Sequence, residues 1–136
     1  MTQETSRSEP VPARFNIARY CLAENARQRG DKTAMILVGE AGETRMSFAE
    51  ADLAVRRLAA GLQGLGLPPR SRIMIRMAND ADYALTYFAT IAAGHVALPS
   101  SAQLTASEAE YLLSNSGAAA VAASAELAQD LQLPEG

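Results

Sequence analysis

The segment Asn79–Thr105 constrains the fold of this chain more than any other part of the sequence. It predicts a helix that begins at Asn79 or Asp80, which can cap its first turn, and that ends at Gly94. The short apolar run His95–Leu98 then predicts a buried strand. A helix leading directly into a buried strand is typical of the crossovers that join parallel strands, so the segment indicates an α/β fold. The apolar face expected to lie on the sheet consists of Ala84, Leu85, Phe88, Ile91 and Ala92.

Three further segments have the composition of strands. Ser71–Met77 is apolar on both faces, as in a parallel strand covered by helices. Thr33–Val38 and Thr44–Met46 flank a glycine-rich turn and predict an antiparallel hairpin. A fourth segment, Ala118–Ala123, has weak strand propensity and is placed by its position as a buried strand or a tight-packing segment. In this order the strands and helices predict a parallel sheet flanked by helices and mixed at the N-terminal hairpin, with Ser71–Met77 central and parallel to the strand that follows Gly94.

Two capping boxes mark helix starts, one at Ser47 with Glu50 and one at Thr105 with Glu108. The first opens a helix, Ser47–Leu65, that we expect to pack against the sheet, as we do for the helix Asp80–Ala93. The buried face of the first is predicted to contain Ala51, Val55, Leu58, Leu62 and Leu65. An earlier helix, Phe15–Gly30, is predicted with an Asn16 cap, and a last helix begins at Ala125 and spans Ala125–Leu131. In the earlier helix Ile17, Tyr20 and Cys21 share a face, and Ala18, Leu22 and Ala26 lie beside it.

Composition limits what the chain can be. Its 136 residues fit one domain, and 49% are hydrophobic, yet no apolar run approaches the roughly 20 residues needed to span a bilayer. The net charge of −3 gives no electrostatic case for nucleic acid. The single cysteine excludes an internal disulfide, and we expect a cytoplasmic protein with no membrane partner. Met1–Ala13 is predicted to be a disordered leader and residues 14–136 one α/β subdomain.

Two motifs carry a family resemblance. The stretch "TRMSFAEADLAVRRLAAGLQGLG" is similar to the first core motif of the AMP-forming, adenylate-forming superfamily, which contains acyl-CoA synthetases, luciferases and peptide-synthetase adenylation domains. The stretch "TIAAGHVALPSS" with the following "LT" and Glu108 resembles the second core motif. The resemblance begins at Phe15, and its segments follow the order that they have in the family. Within the family, the sequence looks most similar to benzoate-type acyl-CoA ligases. It implies the N-terminal subdomain of such an enzyme.

The resemblance also implies a reaction. Such enzymes activate a carboxylic acid with ATP to an acyl-adenylate and transfer the acyl group to CoA, using Mg²⁺. Their Ser/Thr/Gly-rich loop ending in Pro-Lys and their catalytic lysine have no counterpart here, where Lys32 is the single lysine. We therefore expect no catalytic residue, no bound cofactor and no activity in this chain alone. The expected partners are the missing C-terminal remainder, of which Pro134–Gly136 marks the cut, and the acid substrate. Self-association of the fragment is also expected.

Ligands of open α/β sheets bind beyond the carboxyl ends of the strands. Asn79, Ser100 and Ser101 follow two of the predicted strands, so they are the candidates for lining a substrate or cofactor cleft. His95, the single histidine, is predicted to be a structural residue with its hydrogen bonds satisfied. Asp80 and Asp82 are interpreted as charges that stabilise the helix dipole at the start of the helix, and no metal site is predicted.

Two alternatives stay open at this point. One is a free-standing flavodoxin- or receiver-like binding module, and the other is a non-catalytic interaction domain. A receiver would require an acidic cluster after its first strand and a late lysine. Here Gly39 follows the first strand and Lys32 precedes it, so the pattern disfavours a receiver. The sequence does not indicate which acid is activated.

Overall fold

The computed structural model describes residues 12–129 and 131–132, so most of the predicted leader lies outside the described residues. A π-helical turn, Arg19–Ala23, runs directly into the first α-helix. The α-helices are α1 (Glu24–Arg29), α2 (Phe48–Gly64), α3 (Ala81–Ala92), α4 (Ala106–Ser116) and α5 (Ala125–Ala128). The strands are β1 (Thr33–Gly39), β2 (Gly42–Ser47), β3 (Arg72–Arg76), β4 (Val96–Pro99) and β5 (Ala120–Ala123). The α/β fold class predicted from the sequence is confirmed.

In the described residues the strands form two sheets. β1 and β2 pair as the expected antiparallel hairpin, with Gly42 at a φ of +115° in the turn. The hairpin stays a two-stranded sheet of its own, so the prediction of one sheet mixed at the hairpin is wrong. The second sheet is fully parallel, and its strand order is β4-β3-β5.

The central strand β3 is buried on both faces. Ile73, Met74 and Ile75 have no solvent exposure. From β3 the chain passes through α3 to β4 on one side, and from β4 through α4 to β5 on the other side. Because both crossovers are right-handed by the general rule, this reversal of direction places α3 and α4 on opposite faces of the sheet. Met74 accordingly packs in a cluster with Ala109 and Leu113 of α4.

Helix α2 packs on α3 and touches the hairpin, and α3 packs against β3 and β4. The prediction that both helices pack on the sheet is therefore confirmed for α3 and wrong for α2. The two helices share one cluster, in which Ala51, Val55 and Ala59 of α2 meet Leu85 and Ala89 of α3. Helix α3 thus lies between the sheet and α2, which explains why it is buried over more than one face.

The buried face of α2 differs from the predicted one. Ala51 and Val55 are buried and Leu62 is half-buried, as expected. Leu58 is 42% exposed and Leu65 is 60% exposed, and Ala59 takes the central buried position. The predicted spacing follows the large apolar side chains. Ala59 is buried instead, in the cluster that α2 shares with α3.

Helix α3 also buries residues outside its predicted stripe. Thr86 and Thr90 are buried, while Ala92 is exposed. The Thr90 hydroxyl donates to the Thr86 carbonyl at 2.8 Å, so burial leaves this hydroxyl paired. Gly94 ends the helix in the left-handed region, with a φ of +87°, as predicted.

In the first helical segment two of the residues predicted to lie beside the apolar face are buried, and most of the face itself is not. Ile17 and Tyr20 are exposed, and Ala18 and Leu22 are buried instead. The segment contains a π-helical turn, Arg19–Ala23, which the 3.6-residue period does not predict. The Asn16 cap is confirmed, since its side-chain oxygen accepts a hydrogen bond from the Arg19 amide at 3.1 Å. The side-chain Nδ2 of Asn16 also donates a hydrogen bond to the carbonyl of Ile91, at the end of α3, at 3.0 Å.

Both predicted capping boxes are present. The Ser47 amide donates to the Glu50 carboxylate at 2.8 Å, and the Glu50 amide donates to the Ser47 hydroxyl at 3.3 Å. Thr105 and Glu108 repeat this arrangement at the start of α4. The hydrogen bond from the main-chain N–H of Ser47, followed by that from its hydroxyl, lowers the pKa of Glu50 below its usual value. The same two bonds from Thr105 lower the pKa of Glu108.

These boxes predict a loss of stability in acid. A carboxylate whose pKa is lower in the folded chain binds fewer protons there than when unfolded. Its contribution is complete above the unfolded pKa of about 4.3 and is lost as the pH falls through the folded pKa. The urea midpoint should therefore decline below about pH 4.3, and Glu50→Gln should flatten that decline. Ser47→Ala should cost about 1 kcal/mol at neutral pH.

The control for this prediction is Glu40→Gln, because Glu40 is exposed in the hairpin turn. An acid slope that Glu40→Gln flattens as much as Glu50→Gln does would contradict the assignment to the capping box.

Candidate functional site

The reversal of direction at β3 creates a crevice at the carboxyl edge of the sheet. The chain leaves β3 toward α3 on one face and leaves the neighbouring β4 toward α4 on the opposite face. The two loops therefore diverge, and the space between them opens at the point where open α/β sheets bind ligands. A cleft of about 590 Å³ lies there. Its lining residues are Met77, Ala78, Asn79, Tyr83, Ser100, Ser101, Ala102 and Gln103.

All three residues predicted from the sequence line this cleft. Asn79 is exposed, so its amide is accessible to a ligand. Ser101 is also exposed, and its hydroxyl accepts a hydrogen bond from the Gln103 amide at 3.1 Å. Ser100 is buried, and its hydroxyl donates to the Ile75 carbonyl at 2.8 Å. This bond ties the end of β4 to β3, so the Ser100 side chain builds the wall.

Tyr83 and Gln103 complete the polar lining, and the sequence analysis did not single them out. Tyr83 lies in the first turn of α3, where its amide donates to the Asp80 side chain at 3.1 Å. Tyr83 is the third residue of α3 and follows Asn79 by four positions, about one helical turn, so both face the same loop. This spacing is the signal that could have identified Tyr83. Among the residues that line this cleft there is no histidine, lysine or carboxylate. The cleft can therefore bind polar groups by hydrogen bonds, but it offers no general acid or base of ordinary pKa near neutrality.

Two further clefts adjoin the N-terminus of α3. One, of about 550 Å³, separates it from Ile36–Val38 of the hairpin. The other, of about 290 Å³, lies beside Leu58 and Ser124. Asp80 and Asp82 border both. In the part of the chain that the structure describes, no group of three or more His, Cys, Asp or Glu residues is placed to hold a metal ion.

His95 is buried at the opposite end of β4, away from the cleft. Its main-chain N–H donates to the Thr90 carbonyl at 3.0 Å, which secures the turn after α3. Within the described residues its Nδ1 atom is buried without a hydrogen-bond partner. The prediction of a fully satisfied histidine is therefore wrong for this atom. Burial of the ring is set by the main-chain turn, which leaves Nδ1 facing no donor or acceptor.

Two other observations concern the single cysteine and the possibility of a membrane-spanning helix. Cys21 is a free, half-buried cysteine, less buried than expected. Within the described part of the chain, none of the helices has the length and apolar character that crossing a bilayer requires.

The sequence profile of the family described as "AMP-binding enzyme" matches residues 22–135. Benzoate–CoA ligase of Thauera aromatica is 31% identical over 119 residues, which cover 86% of this chain and 22% of that protein. Long-chain-fatty-acid–CoA ligase of Yersinia pestis is 34% identical over 128 residues, covering 90% of this chain and 22% of that protein.

A solved structure gives the same result in three dimensions. The nonribosomal peptide synthetase FmoA3, with α-methyl-L-serine-AMP bound, superposes with a TM-score of 0.81 at 26% identity, covering 95% of this chain and 14% of that one. The chain spans 9% to 22% of the length of the first curated relatives that it matches. Because the family profile covers most of the sequence, and the resemblance seen in the two motifs is thereby confirmed, the chain belongs to the AMP-binding, adenylate-forming enzyme family.

Proposed function

We propose that this chain is the N-terminal α/β subdomain, residues 14–136, of an acyl-CoA ligase. The complete enzyme would activate a carboxylic acid with ATP and Mg²⁺ to an acyl-adenylate and then transfer the acyl group to CoA. The subdomain would supply scaffold and one wall of a substrate or cofactor cleft. Its partners would be the remainder of the same enzyme and the acid substrate.

One observation carries this proposal. The family profile matches residues 22–135 continuously, while the chain corresponds to only 22% of the two CoA ligases compared above. The matches cover nearly all of this chain and about a fifth of each relative. A subdomain of a longer enzyme produces this pattern. The two relatives act by name on an aromatic acid and on long-chain fatty acids, so the similarity favours an acyl-CoA ligase without selecting the acid.

A second candidate is an adenylation unit that passes its acyl-adenylate to a carrier other than CoA. It is favoured by the superposition on FmoA3, a nonribosomal peptide synthetase that holds an amino-acyl adenylate. Both candidates share the first half-reaction and differ in the thiol acceptor and the acid. Family membership also argues against the free-standing receiver-like module, because an adenylate-forming enzyme accounts for the same elements in the same order.

The test uses the whole reading frame that contains this sequence. ATP–pyrophosphate exchange should depend on an added acid, drawn from a panel of benzoate, fatty acids and amino acids. Addition of CoA should then give an acyl-CoA thioester. Exchange with an amino acid and no thioester would select the second candidate. No exchange with any acid would contradict both.

The cleft makes a separate prediction for that enzyme. Asn79→Ala should raise the KM for ATP or for the acid, because the exposed amide is the accessible hydrogen-bonding group at the end of β3. Loss of one such bond corresponds to about threefold to tenfold in apparent affinity. The matched control is Asn115→Ala, since Asn115 is exposed on α4 and lies outside the cleft lining. Equal KM values for the two variants would remove Asn79 from the site.

We also expect this chain, by itself, to self-associate. Val38 is 79% exposed on the hairpin and Val96 is 44% exposed on the edge strand β4. Tyr111 of α4 and Leu65 after α2 are also largely exposed. Apolar side chains next to open strand edges favour pairing with another copy. Light scattering should show a mass that rises with concentration, and Val38→Lys should reduce that rise. A constant monomer mass at high concentration would contradict the prediction.

A further inference from the structure

We infer that Arg76 is a positioning residue, which holds the Ser101–Leu104 loop as a fixed wall of the cleft at the carboxyl ends of β3 and β4. This inference rests on the proposed function, because it assumes that the cleft serves a ligand of the enzyme. The starting observation is that Arg76, the last residue of β3, is 3% exposed. A guanidinium of that burial is costly unless its N–H groups are paired.

The Arg76 side chain pairs with main-chain carbonyls from two separate segments. Its Nη2 donates to the Leu104 carbonyl at 2.8 Å, and its Nη1 donates to the Ser101 carbonyl at 3.5 Å. Its Nε donates to the Leu127 carbonyl in α5 at 3.4 Å. The guanidinium therefore connects the central strand with the β4–α4 loop and with α5. The short bond to Leu104 is charge-assisted and is the strongest of the three by distance.

The loop that Arg76 holds is the same one that lines the cleft. Ser101 and Gln103 contribute to the lining, and the two residues that accept from Arg76 lie at the start and the end of that stretch. On the cleft side, hydrogen bonds within the loop are few and local, such as the one from the Gln103 amide to the Ser101 hydroxyl. The hydrogen bonds that anchor the loop to the sheet thus come from Arg76 and from Ser100, while the Leu104 side chain packs against the cluster that contains Met74.

The geometry requires an arginine. A planar guanidinium presents N–H groups in several fixed directions, whereas a lysine ammonium is a single point that cannot reach carbonyls on two segments at these distances. Arg76→Lys keeps the charge and removes the fork, and Arg76→Met removes both while keeping the apolar stem. The matched control is Arg72→Met, because Arg72 lies on the same strand, is exposed and donates to a carbonyl, that of Ser116 at 3.0 Å, outside the cleft.

Hydrogen exchange on the 136-residue chain tests the inference without any substrate. The amides of Gln103, Leu104 and Thr105 are bonded within the loop or at its end, and their exchange reports its order. Arg76→Met should accelerate exchange at these amides by at least about tenfold relative to Arg72→Met, and Arg76→Lys should do nearly the same. Amides of Ile73–Ile75 should keep their wild-type rates. Uniform acceleration in β3 and the loop, or none in the loop, would overturn the inference. If Arg76→Met does not fold, Arg76→Lys carries the same test.

Kinetics on the polypeptide encoded by the whole reading frame separate positioning from general destabilisation. Arg76→Met and Arg76→Lys should raise the KM for ATP or the acid by about tenfold with kcat within about twofold of wild type, while Arg72→Met changes neither. A lower kcat at unchanged KM would overturn the inference. The two possible failures are distinguishable. A wild-type enzyme without acid-dependent exchange contradicts the proposed function, whereas an active enzyme with unchanged KM in both Arg76 variants contradicts the role of Arg76.

Discussion

Replacing Met74 by alanine is expected to lower the free energy of unfolding by about 2–5 kcal/mol. Met74 lies in the central strand with no solvent exposure and packs against Ala109 and Leu113 of α4. Helices cover both faces of β3, so neither face can close over the space that the side chain leaves. A domain of this size has a total stability of about 5–15 kcal/mol, so the loss is a large fraction of it.

The matched control for Met74→Ala is Leu58→Ala, because both substitutions remove the same number of side-chain heavy atoms. Leu58 is 42% exposed on α2 and opens onto a surface cleft, so its loss should cost well under half as much. Urea denaturation of the two variants measures the difference through the midpoint. A larger cost at Leu58 than at Met74 would contradict the assignment of the core to β3 and α4.

Leu58 also illustrates what sequence periodicity could not predict. The spacing of large apolar residues in α2 places Leu58 and Leu65 on the buried face, yet Ala59 is buried and both leucines are exposed. Periodicity identifies an apolar side of a helix, but the tertiary partner decides which edge of that side is covered. Here the partner is α3, and the residues of α2 buried in the shared cluster are Ala51, Val55 and Ala59. Leu58 and Leu65 lie at the edge of that side and stay exposed.

Features that depend on short-range chemistry were predictable. Both capping boxes and the left-handed Gly94 follow from side chains and turns within a few residues of one another. The central position of β3 was predictable for a different reason, because its residues are apolar on both faces, as in a strand covered by helices. The separation of the hairpin from the parallel sheet was not predictable, because pairing between β1 and any other strand depends on contacts across the whole chain. The π-helical turn at Arg19–Ala23 was not predictable from the 3.6-residue period either.

The candidate site was predictable in position and incomplete in content. Asn79, Ser100 and Ser101 line the cleft because they follow the carboxyl ends of parallel strands, where ligands of such sheets bind, and their contact with a ligand stays a prediction. The same rule does not say which side chains point inward, so Ser100 was predicted as a contact and instead bonds to the Ile75 carbonyl. The burial of Arg76 was also not predictable, since a charged residue at a strand end is normally exposed.

The second large effect concerns activity. The 136-residue chain alone is expected to show no acid-dependent ATP–pyrophosphate exchange. The resemblance to acyl-CoA ligases assigns binding of the triphosphate to a Ser/Thr/Gly-rich loop with Pro-Lys and contact with the reacting carboxylate to a lysine. The only lysine of the sequence, Lys32, is exposed just before the hairpin and does not line the cleft at the carboxyl ends of β3 and β4. No counterpart of that loop occurs in the sequence.

The size of this effect follows from how such sites work. Charge that develops on transferring phosphoryl and carboxyl oxygens is stabilised by positioned cations and N–H donors, and loss of a single donor already costs about 10²–10³-fold in rate. Losing several together should bring exchange to the level without added acid. The assay compares the chain with the polypeptide of the whole reading frame on the same acids. The cleft at the carboxyl ends of β3 and β4 offers neutral hydrogen-bonding groups, and its lining contains no cation to hold a triphosphate. Exchange by the 136-residue chain that rises with acid concentration would therefore contradict the prediction.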